Sequence, residues 1–187
     1  MQVCITDTRK NRIMLLEDYA LTDINSDEER VECLELLFDD HHLLLAGFWN
    51  KIKVLVKNKK FALVPKQLFI PDNIADYIRI NTSIESDLES FFYNQYAQFG
   101  FVNAFAVNRH VVDFLDKTYP NKKIGFFHQS SALIKGFQQY FSGKPGKIMA
   151  LYLDRFVLHI SVFVDGHIRF YNHYPIRKFE DYFRFIG

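Results

Sequence analysis

The sequence predicts an α/β chain, with α+β mixed sheets and helices packed on them, and three observations lead there. Hydrophobic residues make up 49% of 187, enough for a sizeable core. Strand-like and helix-like segments follow one another along the chain, each with its own start and stop signals. The stretch KIMALYLDRFVLHISVFVDGHIRFYNH, Lys147 to His173, reads as three strands behind the clearest linker and repeats a pattern met near the N-terminus.

Gln2 to Thr6 and Arg12 to Leu21, joined by DTRKN, read as a hairpin whose second arm, RIMLLEDYAL, is apolar enough to lie centrally in a sheet. Ser26 with Glu29 makes a capping box for a helix carrying Val31, Leu34, Leu37 and Phe38 on one stripe and ending near Asp39. Ile52, Val54 and Val56 then alternate with lysines. A two-residue loop, Asn58-Lys59, would set Val56 opposite Phe61 and Val54 opposite Leu63, so a second hairpin is predicted.

After Pro71, Asp72 or Asn73 caps a short helix through Ile80. ESFFYNQY and FGFVNAFAV are dense in aromatic and β-branched residues, which places two strands around Gln98 to Gly100 although Ser86 with Glu89 imitates a capping box. Asn108 caps a helix carrying Val111, Val112, Phe114, Leu115 and Tyr119, and Pro120 ends it. Lys123 to His128 is a short strand, and Ser130 opens a helix that Gly143 stops.

SGKPGK is the best boundary, separating residues 1–142 from the meander of residues 147–187, with 143–147 as linker. Within the meander, a three-residue loop Val164-Asp165-Gly166 with a bulge at Gly166 would pair Val162 with Ile168 and Ile160 with Phe170. That register leaves His159, Ser161, Phe163, His167, Arg169 and Tyr171 on a more polar face. The chain stops at FEDYFRFIG just where a helix would start, so it is expected to be a piece of something longer.

Composition narrows the function. With 23 Lys plus Arg against 22 Asp plus Glu, the net charge of +1 gives no general field to attract nucleic acid or an anionic membrane. No apolar run approaches the roughly 20 residues that span a bilayer, and no signal peptide follows Met1, so a cytoplasmic protein is expected. Cys4 and Cys33 lack metal-site or disulfide spacing and are expected in the core.

Asp39-Asp40-His41-His42 is the richest ligand cluster, but adjacent side chains diverge, so a solvated helix end is expected and no metal. Gly143 to Lys147 lacks the spacing of a phosphate loop, and no nucleophile elbow or zinc-helix motif occurs, so no catalytic residue is nominated. Arg169, Arg177 and Lys178, in RFYNHYPIRK, form the one basic surface patch that nucleic acid would use, though nucleic acid is not the expected partner.

RIMLLEDYAL, NAFAVNRHVVDFLDKTYPNKKIGFFHQSSALI and IMALYLDRFVLHISVFVDGHIRFYNHYPI together resemble a family of uncharacterised bacterial proteins with the actin-like ATPase (ribonuclease H-like) fold, which actin, Hsp70, sugar kinases and pilus-assembly scaffolds share. The resemblance implies a first actin-like half over 1–142, its first strand and phosphate turn lying before Met1, and the start of a second half from 147. It also implies a nucleotide turn of the form D-x-G-x-x-[ST], onto which LDRFVLHIS places Asp154 at the acidic position, Arg155 beside it, Phe156 at the glycine and His159 at the hydroxyl. A phenylalanine there fills the space that a phosphate needs. The expectation is therefore a non-catalytic scaffold or regulatory protein with no cofactor, working through an unidentified protein partner or a second copy of itself. The alternatives are an ATP-dependent kinase or ATPase that uses Mg²⁺ at Asp154, and a nucleic-acid-binding protein.

Overall fold

A computed structural model describes residues 1–22 and 24–186. In chain order its strands and helices are β1 (Gln2–Asp7), β2 (Arg12–Asp18), α1 (Asp27–Asp40), β3 (Ile52–Val56), β4 (Phe61–Pro65), α2 (Ile74–Arg79), β5 (Glu89–Tyr96), β6 (Phe101–Asn108), α3 (Arg109–Thr118), β7 (Ile124–His128), α4 (Gln129–Phe141), β8 (Lys147–Asp154), β9 (Val157–Val164), β10 (His167–Pro175) and α5 (Glu180–Ile186). They form two compact units, residues 1–50 with 108–122 and residues 51–107 with 123 onward. The linker predicted at 143–147 lies inside the second unit, so this division by compactness differs from a division into duplicated halves.

In the first unit, β1 and β2 pair antiparallel with Gln2 opposite Asp18 and a register slip after Ile5. The loop forms because the Asp7 carboxylate accepts from the Arg9 and Lys10 amides at 2.9 and 3.1 Å, with Asn11 in the left-handed region. The expectation of a central second arm is overturned. β2 pairs only with β1 among the described strands, and its Ile13, Met14 and Leu16 are exposed, with Leu15 half-buried.

Ser26 Oγ accepts from the Glu29 amide at 3.1 Å as predicted, while the Glu29 carboxylate reaches the Asn25 amide at 2.6 Å, one residue short of a reciprocal box. Leu34 and Phe38 turn inward, and Phe38 meets Phe114 of α3 edge-on with ring centroids 5.1 Å apart. His41 is not a solvated helix end. It is 7% exposed and hydrogen-bonds Glu17 at 2.8 Å, while its other ring nitrogen accepts from Leu43 N. The cysteines also depart from expectation, Cys4 being exposed and Cys33 half-buried.

The second unit holds three sheets: β3 with β7, β4-β6-β5, and β10-β9-β8. The predicted β3–β4 hairpin does not form. β3 runs parallel to β7, with Val56 beside His128, and β4 pairs antiparallel with β6, Phe61 facing Phe105. The intervening loop explains this. Asn58 Oδ1 accepts from Lys60 N, its amide donates to Ala106 O at 2.9 Å, and Ala106 N donates to Lys60 O, so the chain is drawn onto β6 before it can fold back. Alternation reports which residues share a face, not which strand lies alongside.

The meander forms with the predicted three strands but a different loop. Asp165 and Gly166, both at positive φ, make a two-residue turn with Val164 opposite His167, and the extra residue is Arg169, between Ile168 and Phe170. Asp-Gly suits the left-handed turn whose twist matches the strands. The turn is also tied down, since Asp165 accepts from Gly146 N at 2.8 Å and donates its own amide to Gly146 O. The result sets Asn172 against Ile160 and His173 against His159.

β6 is buried from Phe101 to Val107, and β9 is buried from Leu158 to Ser161 and again at Phe163. Polar groups within this core are arranged in a directional chain. Asn103 donates to Ser130 Oγ and Ser131 Oγ at 2.7 Å, Ser130 Oγ lies 2.7 Å from His128 Nδ1, and His128 Nε2 lies 3.0 Å from Asn58 O. Donor and acceptor roles are consistent only if His128 is neutral with its proton on Nε2. His128 also occupies the N-cap position of α4, so the helix starts at Gln129, one residue earlier than the predicted start at Ser130.

Burial pushes the His128 and His159 pKa values down from 6.5 to about 4, and neighbouring His173 adds to both shifts. Asp154 opposes the shift of His159 and Lys57 reinforces it. Because the folded values lie below the unfolded ones, this stabilisation is complete above pH 6.5 and is lost as pH falls toward 4. Urea titrations from pH 7 to pH 4.5 are expected to show a steep fall in unfolding free energy, on the order of 3 kcal/mol per histidine at the limit, and a shallower fall for His159→Gln. At pH 7, Asn103→Ala is expected to lower the unfolding free energy by about 1–3 kcal/mol, since two buried hydroxyls lose their donor.

Candidate functional site

The parallel pair β3 and β7 ends with both strand C-termini side by side, the place where open α/β sheets leave room for ligands. Lys57 follows β3 directly and Gln129 follows β7 as the first residue of α4. Asp154, the last residue of β8, meets both: its Oδ2 lies 2.5 Å from Lys57 Nζ and 2.7 Å from Gln129 Nε2. Partial burial raises the Asp154 pKa, but the hydrogen bonds from Lys57 and Gln129 and the Lys57 charge outweigh it and hold the carboxyl below its ordinary value. The group is an anion already occupied by a cation and an amide.

The β8–β9 turn is short. Asp154 faces Val157 across the ladder, so only Arg155 and Phe156 turn the chain. Arg155 is in the left-handed region at φ 54°, a strained conformation for a residue with a side chain, and Phe156 stands 76% exposed. The Phe156 carbonyl accepts from Ile176 N at 2.7 Å, which fastens the turn to the segment after β10. A cradle for phosphate needs several convergent backbone N–H groups.

His159 lies inside β9 and not at the turn surface. It is 2% exposed, Nδ1 sits 2.7 Å from the Tyr171 hydroxyl, and Nε2 has no hydrogen-bond partner among the described residues. Its ring is 5.6 Å from that of His173, which in turn meets Phe61 edge-on at 5.2 Å. Thus the structure brings Asp154, Arg155 and Phe156 together and sets His159 behind them in the core.

The three basic residues lie on two stretches, one within β10 and one after it. Arg169 is the bulged residue of β10, and from there to the strand end at Pro175 is roughly 20 Å of extended chain. Arg177 and Lys178 use their amides to cap α5, both donating to Asp181 Oδ2.

Lys57, Gln129 and His128 are not marked as site residues by the sequence, and His173 is marked only as part of the basic stretch RFYNHYPIRK. Their positions follow from the β3–β7 pairing and the β9–β10 register, and no local motif announces either. No group of three or more His, Cys, Asp or Glu among the described residues is placed to hold a metal ion, and no helix among them is long and apolar enough to cross a membrane.

This architecture recurs in the crystal structure, at 1.85 Å resolution, of a Bacteroides thetaiotaomicron VPI-5482 protein with actin-like ATPase fold and unknown function. The two agree with a TM-score of 0.84 at 18% sequence identity, over 99% of this chain and 69% of that one. The mixed α/β fold is therefore actin-like. No curated protein matches the sequence. Residues 1–187 match throughout the family described as "Protein of unknown function (DUF3822)", and the chain belongs to that family.

Proposed function

We propose that this chain is a non-catalytic actin-like scaffold or regulatory protein of a bacterial cytoplasm, acting through protein surfaces, with a degenerate nucleotide turn at the start of a second half. The observation that carries the reading is the turn itself: Asp154 held by Lys57 and Gln129, followed by only two turn residues, one of them the exposed Phe156. Among actin-like proteins, pilus-assembly scaffolds are an analogue of such a role. The free Cys4 on the surface suits a reducing compartment. In this reading residues 1–142 are the first half, 143–147 the link and 147 onward the second, with no nucleotide required.

One observation favours a second reading, an ATP-dependent kinase or ATPase. Lys57 and Gln129 sit at the carboxyl ends of parallel strands, where a phosphate could displace Asp154 from the lysine. The two readings diverge in a thermal-shift experiment. With Mg-ATP, Mg-ADP or a non-hydrolysable analogue at about 1 mM, the scaffold reading expects no change in Tm, whereas ligand at a hundred times its Kd would add about 2.7 kcal/mol of stability and several degrees. A clear rise, or magnesium-dependent ATP turnover lost in Asp154→Ala, would overturn the scaffold reading.

A further inference from the structure

We infer that β2 is a pairing edge for a second copy of this chain. The inference rests on the scaffold reading, for which it names a partner. β2 and β1 form a two-stranded sheet, an arrangement that is marginal in water by itself. Along β2, Ile13, Met14 and Leu16 are 59, 53 and 62% exposed. An exposed apolar edge strand offers its backbone N–H and C=O groups to another strand. Native edges are commonly blunted by lysine or proline, and RIMLLED has neither; its charges stand only at the ends, Arg12 at one and Glu17-Asp18 at the other.

That distribution is self-complementary. Two copies of β2, antiparallel about a twofold axis at Leu15, set Leu15 against the partner's Leu15, Met14 against the partner's Leu16 and Arg12 against the partner's Asp18, the last two contacts occurring twice. Opposite residues in antiparallel strands share a face, and this register pairs even positions with even, so symmetry and pleat agree. The same register sets Ile13 against the partner's Glu17, and an axis centred on Met14 would move the partner's Asp18 from Arg12 to Lys10. Opposite charge at the two ends of one apolar edge is the complementarity that points to a second copy as the occupant, and the Arg12–Asp18 pair is the contact by which the register is tested.

The test is sedimentation equilibrium of the full chain over about 1–200 μM, the range in which a small edge interface dissociates. A reversible dimer is expected, weakened about tenfold or more by Arg12→Asp and by Asp18→Arg alone. Mixing the two variants, or combining both substitutions in one chain, restores opposite charges at both ends and is expected to restore the dimer, which separates loss of pairing from loss of fold. A monomer throughout, leaving the edge to another protein's strand, overturns the inference. So does a dimer indifferent to both substitutions. Nucleotide thermal shifts on the same samples report separately on the scaffold reading, so either idea can fail while the other stands.

Discussion

One imidazole ties together most of what the second unit does. His128 ends β7, occupies the N-cap position of α4, accepts from Ser130, and reaches the Asn58 carbonyl just beyond β3. Its ring also stacks on Phe61 of β4 at 4.5 Å. A buried hydrogen bond is costly to leave unmade, so satisfying this one ring at both nitrogens fixes where β3, β4, β7 and α4 meet. Everything at the β8–β9 turn inherits that placement. Gln129 is the next residue, and Lys57 is the residue before Asn58.

The Asp154 cluster is best understood as a neutralised site. A carboxylate at the end of a strand is favourable only if something answers its charge, and here a lysine and an amide do so from two other elements. The Lys57–Asp154 pair is partly exposed, with side-chain exposures of 46% and 20%, so screening keeps its contribution to stability modest. Its weight lies in geometry: it joins the end of β3 to the end of β8.

Much of the fold was legible in the residues, and the misses share one cause. Ser26 and Asn108 cap their helices, the turn at Gln98 to Gly100 separates two strands, and the meander runs as read, because caps, glycines and alternation act within a few residues of chain. The β3–β4 hairpin, the central placement of β2 and the three-residue loop all failed on pairing, which is decided between distant segments. Val54 alternates with lysines whether its neighbour is Leu63 or Phe126. Of the site, Asp154 and Phe156 could be found by aligning a motif, whereas Lys57 and Gln129 could not, since they converge only after two strands have paired in parallel.

The length of the β8–β9 turn has a consequence for descent. Arg155 and Phe156 bridge a ladder that is closed from Asp154 to Val157, and the turn's carbonyl is fastened to Ile176. Changing either side chain alters what the turn displays but adds no backbone amide to it. A glycine at position 156 would uncover the space while leaving the same two peptide units to fill it. In a lineage carrying this turn, single substitutions at positions 155 and 156 therefore vary what the corner displays, while its backbone path, closed by the ladder and fastened at Ile176, stays the same.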